Sequence, residues 1–136
     1  MINYTELAKE LYPECDEADC FWAPSSYTPI IEYLGTVVLR YDEPGYQGDT
    51  YAILKKGDEY GFICFGWGSC SGCDALQGCN SYEDVGSIIQ WLQESVSWYD
   101  SLDEVKQYVE GRNGENSYMY YMDEWETFVE QVMELK

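Results

Sequence analysis

Four cysteines within residues 64–79 are the feature of the sequence that most clearly suggests chemistry. They are Cys64, Cys70, Cys73 and Cys79, in the pattern C-x5-C-x2-C-x5-C, with glycines between them. A C-x2-C turn lets two thiolates bind one tetrahedral zinc ion, and glycines let the backbone approach the sulfur atoms closely. We therefore predict a structural zinc site with Cys70 and Cys73 as the central pair and Cys79 as a third ligand.

The spacing leaves the fourth zinc ligand open. Cys64 lies at the end of the preceding predicted strand and would complete the set if that strand end approaches the turn. An equally good interpretation of Cys64 is a buried thiol that packs as a small hydrophobic side chain between aromatic neighbours. The alternatives to Cys64 are Asp74, Cys15 and Cys20.

The same cysteines allow two other chemistries. A redox pair needs a thiolate stabilised by a helix N-terminus or a cation in a βαβ setting, which the sequence around Cys70 does not show. An enzyme with a reactive Cys70 or Cys73 and Asp74 as an acid–base group is the main alternative function. Catalytic zinc commonly has histidine or carboxylate ligands, and the chain contains no histidine. A thiolate-rich site therefore favours a structural metal in a non-enzymatic protein.

The net charge of the chain is strongly negative. Twenty-six acidic residues against seven basic ones give a formal charge of -19. Such a chain repels polyanions, so we expect neither direct nucleic-acid binding nor binding to an anionic membrane. The lack of histidine excludes Ser/His/Asp triads, and no D-x-[DN]-x-[DN]-G loop predicts calcium binding. No apolar run approaches the ~20 residues of a membrane span, and no secretion signal is present, so we expect a cytoplasmic protein.

The elements that must position the cysteines follow an α+β pattern. Three runs rich in β-branched and aromatic residues predict a three-stranded antiparallel meander over residues 36–41, 50–56 and 60–67. Apolar residues of the third run point to both faces, which is typical of a central strand. We expect one short N-terminal helix over Asn3–Tyr12 and an irregular loop over residues 12–29.

Three amphipathic helices are predicted to follow the cysteine turn. The first begins after Ser81, and the second begins after Ser101, which forms a capping box with Glu104. The third begins near Asp123 and has apolar residues at helical spacing. Its apolar stripe consists of Trp125, Phe128, Val129, Val132 and Met133. Together these helices would cover the sheet, giving a single domain over residues 1–136.

Acidic residues concentrate in the helical half of the chain. Residues 81–136 hold thirteen acidic residues against three basic ones. Every fourth residue of the last predicted helix is glutamate, so these carboxylates share one face about 6 Å apart along the axis. A surface this acidic exceeds what solubility requires and suits the basic groove of a nucleic-acid-binding protein. The predicted contact residues are Glu83, Asp84, Glu126, Glu130 and Glu134.

The chain is also rich in aromatic residues, with five tryptophans and fourteen tyrosines. Most of them are expected in the core or at its edge. Trp91 and Trp98 lie seven residues apart beside the main apolar stripe of their predicted helix, which makes them candidate anchors at an interface.

The segment Gly68–Leu76, G-S-C-S-G-C-D-A-L, resembles a segment of small phage-encoded proteins. With the size and acidity of the chain, it resembles a zinc-containing type II anti-CRISPR protein. The resemblance implies inhibition of an RNA-guided nuclease by binding its recognition lobe and blocking the loading of target DNA. It implies zinc ligation by Cys70, Cys73 and Cys79 and assigns no residue to partner contact. A self-associating phage assembly component is a third possible function.

Overall fold

The structure, a computed structural model, describes residues 2–17, 20–21, 23–24, 26–44, 47–68, 74–112 and 122–136. The helices are α1 Tyr4–Leu11, α2 Thr28–Leu34, α3 Tyr82–Ser95, α4 Leu102–Arg112 and α5 Met122–Met133, with a short 3-10 helix at Pro13–Cys15. The strands are β1 Asp16–Glu17, β2 Cys20–Phe21, β3 Thr36–Asp42, β4 Gln47–Lys56, β5 Glu59–Gly68 and β6 Ser97–Tyr99. The fold class is α+β, as the sequence predicted.

The main sheet is an antiparallel meander in the order β3-β4-β5-β6. The three predicted strands are confirmed, and β5 is central as expected. The fourth strand, β6, corrects the predicted count of three. It pairs with the start of β5, where Gly61 faces Trp98. The apolar stripe of the preceding helix continues without a break through this segment, so its periodicity gave no sign that α3 ends at Ser95.

Both faces of the sheet are buried, each against its own layer of helices. Ala52, Leu54, Ile63 and Phe65 pack on one side in a cluster that includes residues of α1, α2 and α3. The alternate residues of β4 and β5 pack on the other side with residues of α4 and α5. We call these the N-terminal layer (α1–α3) and the C-terminal layer (α4 and α5). The sheet is therefore the middle of three layers.

The N-terminal layer contains a helix that the sequence analysis did not predict. The segment around Pro29 was expected to be a loop, and one N-terminal helix was expected instead of two. Pro29 lies in the first turn of α2, where a missing backbone N–H costs nothing because no intrahelical acceptor is available. Ile30, Ile31 and Leu34 of this helix are buried.

The predicted helix starts of the C-terminal half are confirmed where their side chains are described. The Ser81 hydroxyl accepts a hydrogen bond from the backbone of Asp84 at 3.2 Å. The Ser101 hydroxyl accepts one from Glu104 at 3.2 Å, and the Glu104 carboxylate accepts one from the backbone of Asp100 at 2.9 Å. These bonds satisfy backbone N–H groups that have no partner within the helix. In the described part of the chain, no helix combines the length and apolar character needed to cross a membrane.

Helices α1 and α3 approach each other closely at Gly86. A Cβ atom placed on Gly86 would lie 2.8 Å from the backbone carbonyl carbon of Tyr4 and 3.0 Å from the backbone nitrogen of Thr5. Backbone atoms cannot rotate away as a flexible side chain can. The close packing of these helices therefore requires glycine at this position.

We expect Gly86→Ala to lower the free energy of unfolding by about 1–3 kcal/mol, because α1 must shift away from α3. Gly111→Ala is the matched control, since a Cβ atom at Gly111 in α4 meets no atom of the described residues within 4 Å. Alanine there should leave stability unchanged or raise it by up to ~1 kcal/mol through its helix propensity. Urea unfolding followed by circular dichroism measures both, and equal effects of the two substitutions would contradict the packing argument.

Candidate functional site

Asp74 forms hydrogen bonds at the base of the cysteine turn, the name used here for the segment between Gly68 and Asp74 that contains Cys70 and Cys73. This residue is only 6% exposed. Its carboxylate accepts hydrogen bonds from the Tyr27 hydroxyl at 2.8 Å and from the backbone N–H groups of Gly68, Leu76 and Gln77 at 3.0, 2.9 and 3.2 Å. Four donors compensate a carboxylate for its removal from water. Asp74 is thus a structural group in this arrangement, which differs from the acid–base role considered as an alternative.

The two ends of the cysteine turn are fixed close together by these contacts. Gly68 ends β5 on one side of the turn, and the bond from its N–H to Asp74 joins it to the other side. The Gln77 side-chain amide also donates to the Gly68 carbonyl at 2.8 Å. Cys70 and Cys73 themselves lie outside the described residues. Zinc ligation by this pair remains a prediction from the sequence.

Cys79 is buried just after the turn, and Cys15 belongs to the same core cluster. They are 6% and 2% exposed, respectively. The Cys79 thiol donates to the Ala75 carbonyl at 3.5 Å. Burial, with smaller contributions from the nearby Asp84, Asp74 and Cys15, raises the pKa of Cys79 to about 11. Burial also raises the pKa of Cys15. Without a bound cation both side chains are therefore protonated thiols at neutral pH.

Cys64 lies on the opposite face of the sheet from Cys79. It is half-buried and packs with the residues of the C-terminal layer, whereas its neighbours Ile63 and Phe65 pack with the N-terminal layer and Cys79. This placement fits the interpretation of Cys64 as a packed thiol. The side chain of Cys20, another predicted alternative, lies outside the described residues, but its backbone lies in β2, five residues beyond Cys15.

The positions of the described cysteines can be compared with the geometry of a zinc site. Zinc–sulfur bonds of about 2.3 Å place all four ligands of one ion within a few ångströms of one another. Cys64 packs with the cluster on one face of the sheet, whereas Cys15 and Cys79 both belong to the cluster on the other face. Among the described residues, no group of three or more acidic, cysteine or histidine side chains is placed to hold a metal. A complete site would require ligands from the turn.

The predicted acidic contact residues are exposed but lie on two different layers. Glu126 and Glu130 are exposed on α5, and Glu134 is exposed directly after the last residue of that helix, Met133. Glu83 and Asp84 are exposed at the start of α3, on the other side of the sheet. The two groups therefore lie in layers on opposite faces of the sheet.

Glu83 and Asp84 also have a structural role. They occupy the first turn of α3, where negative charge stabilises the helix dipole. The Asp84 carboxylate accepts a hydrogen bond from the backbone of Asn80 at 2.9 Å, which completes a capping interaction with Ser81. The glutamates of α5 have no such role, and none of them forms an ion pair with another described residue.

The two candidate aromatic anchors differ in position. Trp91 is exposed on α3, with 47% of its surface accessible. Trp98 lies on β6, not on a helix, and packs in the N-terminal layer close to Gly61. Trp98 is thus a core-edge residue, which corrects its assignment to the helix. In the C-terminal layer, Met133 of α5 was predicted in the buried stripe but is 43% exposed beside Glu130 and Glu134.

Two buried carboxylates in this region fix the adjoining loops by accepting hydrogen bonds, a role that the sequence did not predict. Asp74 was considered only as a ligand or an acid–base group, and Glu43 was not considered. Glu43 is buried and accepts hydrogen bonds from the backbone of Asp49 at 2.7 Å and from the Tyr51 hydroxyl. An aspartate that begins a turn commonly accepts from backbone N–H groups two and three residues later, and that signal could have identified Asp74.

Comparison of the chain with protein-family models, with curated proteins and with solved structures found no match.

We expect Asp74→Asn to destabilise the protein by about 1–3 kcal/mol, because an amide nitrogen would replace one of the carboxylate oxygens that accept hydrogen bonds. Asp58→Asn in the exposed β4–β5 turn removes the same charge and should change stability by less than ~0.5 kcal/mol. Thermal unfolding of both variants measures the difference. Equal stability of the two variants would show that the Asp74 contacts contribute little.

Proposed function

We propose that the protein is a non-enzymatic inhibitor that uses the acidic exposed face of α5 to occupy a basic, nucleic-acid-binding groove of a partner protein. The observation that carries this proposal is the row of Glu126, Glu130 and Glu134, which is exposed and forms no ion pair with the described residues. Like charges at this spacing destabilise a helix by a few tenths of a kcal/mol for each pair. A function in binding explains why the row is tolerated.

The spacing of the row fits a cationic groove. The three carboxylates repeat about every 6 Å along the helix, whereas each strand of duplex DNA carries one phosphate per about 3.4 Å of axis. The row therefore presents roughly half the linear charge density of one DNA strand. Met133, exposed beside it, adds a flexible apolar contact of the kind found at binding surfaces.

The C-terminal layer presents this face on a supported helix. Trp125, Phe128 and Val132 of α5 are fully buried against the sheet and α4. The Lys106 ammonium group of α4 donates a hydrogen bond to the Leu135 carbonyl, just beyond the end of α5, where a cation stabilises the helix dipole. A rigid helix loses little conformational freedom on binding, which favours affinity.

The partner that the resemblance suggests is the effector nuclease of a type II CRISPR system. Such a nuclease holds its nucleic acids in positively charged channels. An acidic helix bound there would compete with target DNA for the same cations. Complementary charge also speeds association, so an inhibitor of this kind would capture the nuclease before DNA does.

We further propose that a structural zinc ion joins the cysteine turn to the N-terminal layer. Cys79 and Cys15, buried on one side of the sheet, would supply two ligands, and Cys70 and Cys73 of the turn would supply the others. Cys15 thereby takes the place of Cys64 in the ligand set. Bound zinc would supply a covalent-like cross-link and keep the thiols deprotonated despite their burial.

Charge reversal of Glu126, Glu130 and Glu134, called the α5 row, tests the proposed inhibitor function. We expect the triple substitution Glu126→Lys, Glu130→Lys, Glu134→Lys to weaken binding to a purified guide-loaded type II effector nuclease by about tenfold or more at ~0.1 M salt. The matched control carries Glu10→Lys, Glu32→Lys and Glu94→Lys, which change the charge equally on exposed sites of the N-terminal layer. Interferometry measures affinity, and gel shift measures target-DNA loading.

Two results would contradict the α5 assignment. One is an unchanged affinity of the α5 variant at low salt. The other is an equal loss of affinity in the control, which would indicate an effect of net charge with no defined contact surface.

Elemental analysis and native mass spectrometry test the zinc site. We expect about one zinc ion per chain in the wild-type protein and in Cys64→Ala, and its loss in Cys79→Ala and Cys15→Ala. A chelator should lower the melting temperature of the first two proteins. Zinc lost from Cys64→Ala and kept by Cys15→Ala would make Cys64 the ligand. A metal-free folded wild-type protein would exclude the site.

A further inference from the structure

Trp91 is an exposed aromatic side chain on the solvent side of α3. It belongs to neither of the buried clusters that cover the two faces of the sheet, and 47% of its surface is accessible. At 3.6 residues per turn, position 91 points nearly opposite the buried stripe of α3. That stripe consists of Tyr82, Val85, Gly86, Ile89 and Leu92. Tryptophan is also a weaker helix former than glutamine or lysine, so neither core packing nor helix propensity explains this residue.

The helical neighbours of Trp91 leave its indole ring open. Ser87 and Ser95 lie four residues before and after it, at positions that adjoin it on the helix surface. Their hydroxyl groups donate to the backbone carbonyls of Glu83 at 3.2 Å and of Trp91 at 2.7 Å. Short side chains that are bonded to their own helix cannot cover an indole ring. Among the described residues, no other aromatic ring and no cation lies over it.

The charge around Trp91 is negative. Glu94 is exposed one turn after Trp91, and Asp84 is exposed two turns before it. Each carboxylate accepts one hydrogen bond from a neutral donor, which leaves its charge uncompensated. Neither forms an ion pair with another described residue, and α3 contains no lysine or arginine. This surface is complementary to a cation, because the face of the indole ring and the carboxylates both attract positive charge.

The complementary cation must belong to a different protein. A second copy of the chain would bring the same carboxylates and a net charge of -19 to this face, so like-charge repulsion opposes self-association here. Arginine suits the surface better than lysine. Its planar guanidinium group stacks on an aromatic face and donates two hydrogen bonds to one carboxylate, whereas the lysine ammonium group is a strongly hydrated point charge.

We propose that the α3 face, defined by Asp84, Trp91 and Glu94, binds an extended, arginine-bearing segment of a partner protein. One guanidinium group stacks on the indole ring and donates to Glu94, and a second donates to Asp84. Seven residues of helix and three residues of extended chain both span about 10 Å, so the two arginines are three residues apart, as in Arg-x2-Arg. The α3 face lies on the opposite side of the sheet from α5. The proposal therefore rests on neither the α5 row nor the zinc site.

Titration of the ¹⁵N-labelled full chain with short peptides tests the α3 face. The probe is the acetylated and amidated peptide Gly-Arg-Ser-Gly-Arg-Gly, and two analogues carry lysine or citrulline in place of both arginines. At about 0.1 M salt, we expect the arginine peptide to produce a saturable shift of the Trp91 indole N–H resonance, assigned with Trp91→Ala. Citrulline keeps the planar shape of arginine but has no charge, so its peptide should bind about fivefold more weakly, with the lysine peptide between the two.

Two variants and a matched control locate the contact. Trp91→Ala, followed through the backbone amide of Glu94, should weaken binding of the arginine peptide about three- to fivefold because the stacked ring is lost. Glu94→Gln should weaken it about two- to threefold because a charged acceptor is lost. Glu10→Gln on α1 removes the same charge from another exposed helical glutamate of the N-terminal layer and should bind as the wild type does. The dispersion of each spectrum shows whether the variant folds.

Any of four outcomes would overturn the proposal. The first is the absence of a saturable Trp91 shift with the arginine peptide. The second and third are equal affinities for the citrulline peptide or for the lysine peptide, which would remove the need for charge or for a guanidinium group. The fourth is an affinity of Trp91→Ala and Glu94→Gln no lower than that of Glu10→Gln. None of these outcomes bears on the charge-reversal test of α5, which changes other residues and measures binding to a nuclease.

Discussion

The burial of both faces of β4 and β5 is the constraint on which the rest of the structure depends. Side chains of a strand alternate between faces, so an apolar run such as Phe62–Phe65 supplies both cores at once. A sheet of this kind is stable in water only if helices cover it on each side. The N-terminal layer and the C-terminal layer follow from that requirement.

The same alternation separates residues that the sequence places side by side. Cys64 and Cys79 belong to one spacing pattern along the chain, but the pleat of β5 turns Cys64 toward the C-terminal layer and away from Cys79. The acidic residues divide in the same way, since α3 and α5 cover opposite faces. Alternate residues of a strand face opposite sides of the sheet. When a spacing motif includes a strand residue, the face to which that residue points must therefore be known before it is grouped with residues outside the strand.

Much of the fold could be predicted because its signals are local. Hydrophobic periodicity predicted β3, β4 and β5, and hydroxyl residues before apolar stripes predicted the starts of α3 and α4. The missed elements have ambiguous local signals. The three residues of β6 continue a helical stripe, and a proline such as Pro29 of α2 is found in loops as well as in first helical turns. The bonds of Asp74 to Leu76 and Gln77 have a local sequence signal, whereas its partners Tyr27 and Gly68 come from separate elements. Only the folded chain brings them together.

Buried carboxylates accept hydrogen bonds at one end of the sheet, the end from which the cysteine turn also starts. Glu43 closes the connection between β3 and β4, and Asp74 closes the connection that follows β5. Strand pairing places Gln47 opposite Gly68, so both connections leave the same end of the β4–β5 pair. A protein with net charge -19 gains no electrostatic advantage from burying further acids, and each buried acid must be satisfied by fixed donors. Glu43 and Asp74 meet this condition, because backbone N–H groups and tyrosine hydroxyls donate to both carboxylates.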